Sequence, residues 1–120
     1  MEATPEKVLE MVVKSADDKR AEDIMAMDMK GISVLADYFV VMHGNNERQI
    51  GAIADGILDE SEKMGAVVKR VEGKDSANWI LIDLGDVIVH VFSQEEREFY
   101  NLEKLWSDAE NVDLSSMIEL

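Results

Sequence analysis

The stretch Trp79-Ile80-Leu81-Ile82-Asp83-Leu84-Gly85-Asp86-Val87-Ile88-Val89-His90-Val91-Phe92 constrains the fold more than any other part of the chain. Two runs rich in aliphatic and β-branched residues, Asn78 to Leu84 and Val87 to Phe92, flank Gly85-Asp86. A link that short joins strands only as an antiparallel hairpin. A two-residue turn sets Leu84 opposite Val87, Ile82 opposite Val89 and Ile80 opposite Val91, so one face is wholly aliphatic and must be covered. The other face then pairs Trp79 with Phe92, Leu81 with His90 and Asp83 with Ile88. Aromatic and polar groups together suit a partner surface or a half-covered layer better than a deep core.

Cover for the aliphatic face comes from two helical patterns. Thr4-Pro5 reads as a cap followed by the first helical position, and Val8, Leu9, Val12, Val13 and Ala16 then recur at helical spacing to about Asp18. A second helix opens at Asn46, turns Ile50, Ile53, Ala54, Ile57, Leu58 and Met64 inward, and closes at Gly65. From Ile24 the period is two, with Met25, Met27 and Met29 on one side and Ile24, Ala26 and Asp28 on the other, which predicts a strand ending at Lys30-Gly31. The methionine row reads as core filling. Tyr38 to Met42 predicts a second strand ending in the turn His43-Gly44-Asn45-Asn46, and Val67 to Val71 a third. Strand, helix and strand in that order predict a crossover unit with parallel pairing, and so a mixed sheet. Lys74 to Ala77 is a polar loop. After the hairpin, Ser93 and Asn101 are expected to cap two short helices, in which Phe99, Leu102 and Leu105 read as residues packing the helices onto the sheet. The length fits one domain over 1–109. Residues 110–120 show no clear period and are expected to form a flexible tail, with a partner-induced helix around Leu114, Met117 and Ile118 as the alternative.

Composition narrows the function. The chain of 120 residues has 26 acidic and 12 basic side chains, a formal charge of −14, which argues against a general binder of the phosphate backbone. There is no cysteine, hence no disulfide, thiolate metal site or thiol catalysis. The start lacks the pattern of a signal peptide, and charged residues or histidine interrupt every apolar stretch before it could span a bilayer. A soluble cytoplasmic protein is expected. His43 and His90 have no third ligand at a metal spacing, so neither a metal nor a cofactor is expected. Gly44-Asn45-Asn46 could cradle an anion, but no Walker-type Lys-Ser/Thr follows it. A divergent metal-dependent nucleotidyltransferase using Asp37, Asp83 and Asp86 with Mg²⁺ is the enzymatic alternative. It lacks the paired carboxylates, one residue apart on a strand, that would hold the ion. The acidity is uneven. Glu95 to Leu120 holds eight acidic residues against Arg97 and Lys104, a net of −6, beside Phe99, Tyr100 and Trp106. A charged rim around aromatic anchors suits a basic protein partner. An acidic dimerisation module with some other partner is the remaining alternative.

These residues resemble the ribosomal silencing factor family, also called Iojap. The resemblance is carried by Ala36-Asp37-Tyr38-Phe39-Val40-Val41, by Arg48-Gln49 with Ala52-Ile53-Ala54-Asp55, by Glu72-Gly73, and by Trp79 to Phe92. It continues through Arg97, Phe99-Tyr100, Leu102-Glu103 and Leu105-Trp106. One departure is His43-Gly44-Asn45-Asn46, where relatives typically read Ser-Gly-x-Ser. The resemblance implies an α/β domain with a mixed five-stranded sheet flanked by helices, nucleotidyltransferase-like in topology without the catalytic carboxylates. It implies a non-enzymatic, commonly homodimeric factor that binds the large ribosomal subunit through ribosomal protein L-fourteen. Such a factor blocks joining of the small subunit and represses translation; the charge of −14 in turn predicts little direct contact with nucleic acid. On this reading Trp79, His90, Phe92, Arg97, Tyr100 and Trp106 form or border the contact surface, Trp79 foremost.

Overall fold

The computed structural model describes residues 4–75 and 78–118. Helix α1, Pro5–Asp18, starts where the Thr4 hydroxyl accepts the Lys7 N–H at 3.2 Å, and it buries Val8, Leu9, Val12, Val13 and Ala16. Helix α2, Glu47–Met64, is capped by Asn46, whose side chain accepts the Gln49 N–H at 2.8 Å. It ends at Gly65, whose φ of 78° is the left-handed conformation that a side chain would strain. Both helices lie on one face of the sheet, where Ile50, Ile53 and Ile57 meet Val40, Met42, Ile80, Ile82, Val89 and Val91.

The strands are β1 (Glu22–Asp28), β2 (Tyr38–Gly44), β3 (Arg70–Glu72), β4 (Trp79–Asp83), β5 (Val87–Ser93) and β6 (Glu110–Asn111). Their order across the sheet is β3-β4-β5-β2-β1-β6. The central pair β2–β5 is parallel and every other pair antiparallel, giving the mixed α/β sheet expected from sequence. The hairpin has the expected register throughout: Trp79 lies opposite Phe92, Ile80 opposite Val91, Leu81 opposite His90, Ile82 opposite Val89 and Asp83 opposite Ile88. The Leu84 N–H meets the Val87 carbonyl at 2.9 Å across the turn.

Four expectations are corrected. The sheet has six strands, because Glu110–Asn111 pairs with Met27 and Asp28 at the β1 edge. The segment expected to be a flexible tail therefore carries a strand, then the buried Leu114 and a turn in which the Ile118 N–H meets the Leu114 carbonyl. Alternation of only a few side chains, Val112, Leu114 and then Met117 and Ile118 against the core, is too short a pattern to register as a period. Strand β3 is shorter than Val67 to Val71 and shifted: Val67 is exposed, and the adjacent Val67 and Val68 cannot both face inward from an extended backbone. Finally, the segment after α2 does not pair with β2. It runs to the far edge beside β4, and the parallel neighbour of β2 is β5. The loop Lys74 to Ala77 lies partly outside the described residues.

Candidate functional site

The face of the sheet away from α1 and α2 is covered only in part. Helix α3, Gln94–Tyr100, begins at Ser93, whose hydroxyl accepts the Glu96 N–H at 3.2 Å, and α4, Leu102–Leu105, begins at Asn101. Both expected caps are present. The two helices lie over one end of this face, where Met27, Met29, Val41 and Phe92 form a second, smaller core with Phe39, Trp79, Leu102, Trp106 and Ala109 packed against it. Met27 and Met29 do fill core, as their spacing predicts, whereas Met25 is only half-buried and belongs to neither core.

Five of the six residues singled out from sequence meet in one aromatic system. The Trp79 ring lies 4.6 Å from Tyr100, 5.0 Å from Phe92 and 5.9 Å from His90, centre to centre. Phe39 extends it, 5.5 Å from His90 and 5.9 Å edge-on from Trp106. Such offset and edge-on contacts hold the rings in place beyond what burial alone supplies. Gly73, at φ 84°, passes so close to this strand that a Cβ would collide with the Trp79 carbonyl oxygen. A side chain there would push Trp79 out of position.

Depth divides the set. Trp79 and Trp106 are half-buried and Tyr100 is 44 % exposed, whereas Phe92 is fully buried, His90 is 5 % exposed and Arg97 is 7 % exposed. The last three therefore underlie the surface and do not present a contact group on it. Adding to the outward patch are half-buried Phe39, Leu81 and Ile88. Phe99 and Leu105, expected to pack on the sheet, instead point outward at 78 % and 67 % exposure, while Leu102 does pack inward. A helix of one or two turns offers only a narrow inward stripe, so its remaining apolar residues face solvent. The exposed Ile32, Val34 and Leu35, in the loop between β1 and β2, were not anticipated as surface. Three aliphatic residues within four positions were the signal, one shared with any buried strand.

His90 is held by its neighbours in a defined state. The Trp79 Nε1–H donates to His90 Nδ1 at 3.1 Å, and burial pushes the imidazole pKa down to about 4. The neutral ring thus carries its proton on Nε2, which has no hydrogen-bond partner among the described residues. Arg97 belongs to a separate polar cluster beneath α3. Its Nε donates to Glu103 at 3.0 Å and its Nη1 to His43 Nδ1 at 2.9 Å and the Glu22 carbonyl at 3.3 Å.

Some of the features weighed for catalysis are engaged in internal hydrogen bonds. Asp83 accepts the Gly85 N–H at 2.9 Å and lies 3.7 Å from Arg70 Nε, and the Asp86 and Asp37 backbones bond to each other across the end of the sheet. Among the described residues no group of three or more His, Asp or Glu side chains is arranged to hold a metal ion. At the α2 N-terminus the Asn45 N–H is taken by Gln49 Oε1 at 2.7 Å and the Gln49 N–H by Asn46, so two donors of the supposed anion cradle are used internally. No helix among the described residues is long and apolar enough to cross a membrane.

Comparison with known proteins gives this geometry a context. Residues 2–119 match the family model described as ribosomal silencing factor during starvation. The chain is 55 % identical over 107 residues to ribosomal silencing factor RsfS of Bacillus subtilis, covering 89 % of this chain and 91 % of that protein. A crystal structure from Bacillus halodurans, 48 % identical, superposes with a TM-score of 0.82 over 91 % of this chain and 99 % of that one. A more distant relative, mitochondrial assembly of ribosomal large subunit protein 1 of Mus musculus, is 30 % identical over 106 residues, 82 % of this chain and 45 % of that protein. With the match running nearly end to end and the fold reproduced, the chain belongs to the ribosomal silencing factor family, whose role is regulatory rather than catalytic.

Proposed function

We propose that this protein represses translation by binding the large ribosomal subunit through ribosomal protein L-fourteen, and that the bound molecule blocks joining of the small subunit by occupying its docking face. The observation that carries this reading is the half-covered sheet face. Trp79, Tyr100 and Trp106, with Phe39, Leu81 and Ile88, form an aromatic and aliphatic patch; α3, which carries Tyr100, is rich in acidic residues, and on the edge strand Glu72 lies opposite Leu81, 3.4 Å from Arg70. Aromatic anchors beside charged residues match the anatomy of protein interfaces, and the acidity of α3 suits a basic ribosomal protein better than RNA. The mouse relative is named for assembly of the large ribosomal subunit, which fits the same partner.

On this reading the protein acts in the cytoplasm, needs no cofactor, performs no catalysis and makes little direct contact with nucleic acid. It is a homodimer when free, a state that light scattering measures directly. The deciding experiment is sedimentation with isolated large subunits, wild type against Trp79→Ala. Truncating an interface Trp typically costs about 2 kcal/mol, roughly thirtyfold in affinity, so the variant should leave the subunit fraction while keeping its circular dichroism spectrum. Unchanged co-sedimentation of the folded variant would remove Trp79 from the interface. Failure of the wild type to travel with free large subunits would remove the function itself.

A further inference from the structure

Helices α3 and α4 present a large share of the candidate surface, yet little apolar burial holds them down. The seven residues of α3 bury a single side chain fully, that of Arg97, and the four residues of α4 bury none fully. Segments this short are not helical on their own in water. Besides the packing of Leu102, Trp106 and Tyr100 against the smaller core and Trp79, a chain of polar contacts across the fold holds them. An arginine guanidinium can only donate, so His43 Nδ1 accepts from Arg97 at 2.9 Å and the His43 ring presents Nε2 to Glu22 Oε2 at 3.5 Å. The same guanidinium takes the Glu22 carbonyl with Nη1 and the Glu103 carboxylate with Nε. One buried side chain thus joins β1, β2, α3 and α4.

We propose that Arg97 is a positioning residue for partner binding: through His43, Glu22 and Glu103 it sets the seat of α3 and α4, and with it the placement of Tyr100 and Trp106 over Trp79 and Phe39. It touches no partner itself. The inference rests on the partner-binding reading of this face, since positioning matters only if the surface is used. Lysine cannot replace the planar fork, which makes three directed contacts here, although it keeps the charge.

The test uses the full chain and two readouts. Hydrogen exchange measured by mass spectrometry reports the seat of the helices without any partner, and co-sedimentation with isolated large subunits reports binding. In Arg97→Met, exchange should speed up within residues 94–106 while α1, α2 and the central strands keep their protection. Affinity should fall by at least about tenfold, comparable with loss of an anchor side chain. Arg97→Lys should recover part of both effects. Glu103→Gln, which removes one carboxylate and leaves the guanidinium in place, should show the same local pattern more weakly, and it keeps the test open if Arg97→Met does not fold. Unaltered exchange at 94–106 in a folded Arg97 variant, or in Glu103→Gln if no Arg97 variant folds, overturns the proposal. So does loosened α3–α4 with wild-type binding. If wild type fails to bind large subunits, the partner reading falls, while the exchange result still decides whether Arg97 seats the helices.

Discussion

His90 shows how a single side chain links the face to solution conditions. Its ring lies between Trp79 and Phe39 and stacks on Phe92 at 5.9 Å, and burial lowers its pKa to about 4 from an ordinary value near 6.5. The unfolded chain therefore binds this proton more readily than the folded one, and the stability tied to the neutral ring is lost as pH falls from about 6.5 towards 4. The loss reaches about 3 kcal/mol when both forms have titrated. Thermal melts of wild type and His90→Gln across that window check this. The variant keeps a hydrogen-bond acceptor for Trp79 but has no ionisable ring, so its melting temperature should fall less steeply. Equal slopes would place the acid sensitivity among the carboxylates. The register opposite Leu81 was legible because a two-residue turn fixes every pair in a hairpin. The burial of Arg97 was not, because it depends on Glu22 and His43, brought to it by sheet pairing that no local pattern encodes.

Among elements, those governed by local rules were readable and those governed by distant pairing were not. Helices α1 and α2 could be placed from Thr4, Asn46 and Gly65, because caps and apolar spacing act within a few residues. Strand β6 is only two residues long and exists because β1 offers an open edge to it. Leu114 anchors the terminal segment in the main core. Leu114→Ala should lower stability by about 2 kcal/mol, near the small end of the range for buried leucines because the site lies at the margin of the core. Urea unfolding measures this, and a change of only a few tenths would mean that the terminal segment packs without contributing to the fold.

For the molecule as a whole, the charge of −14 sets how it approaches a partner. If the partner is basic, association is steered, so the on-rate should drop several-fold between about 50 and 300 mM salt while dissociation changes much less. Stopped-flow or surface binding with large subunits separates the two rates. A salt-independent on-rate would mean that the acidity serves solubility alone. The aromatic face itself was half visible in sequence: Trp79, Tyr100 and Trp106 could be named from the hairpin and the terminal aromatics. Depth could not be, since it is set by how far two short helices extend over the sheet.

The parallel pair at the middle of the sheet also orders events in time. Tyr38–Gly44 finds its partner in Val87–Ser93, beyond α2, β3 and β4 in the chain. During synthesis the first half of the protein therefore emerges with one side of its central strand unpaired, and the sheet closes only after β5 has left the exit channel. Pairing between segments so far apart is a slow step in folding. Helices α3 and α4 follow β5 in the chain, so the aromatic face they help to form is completed after the framework beneath it has been made.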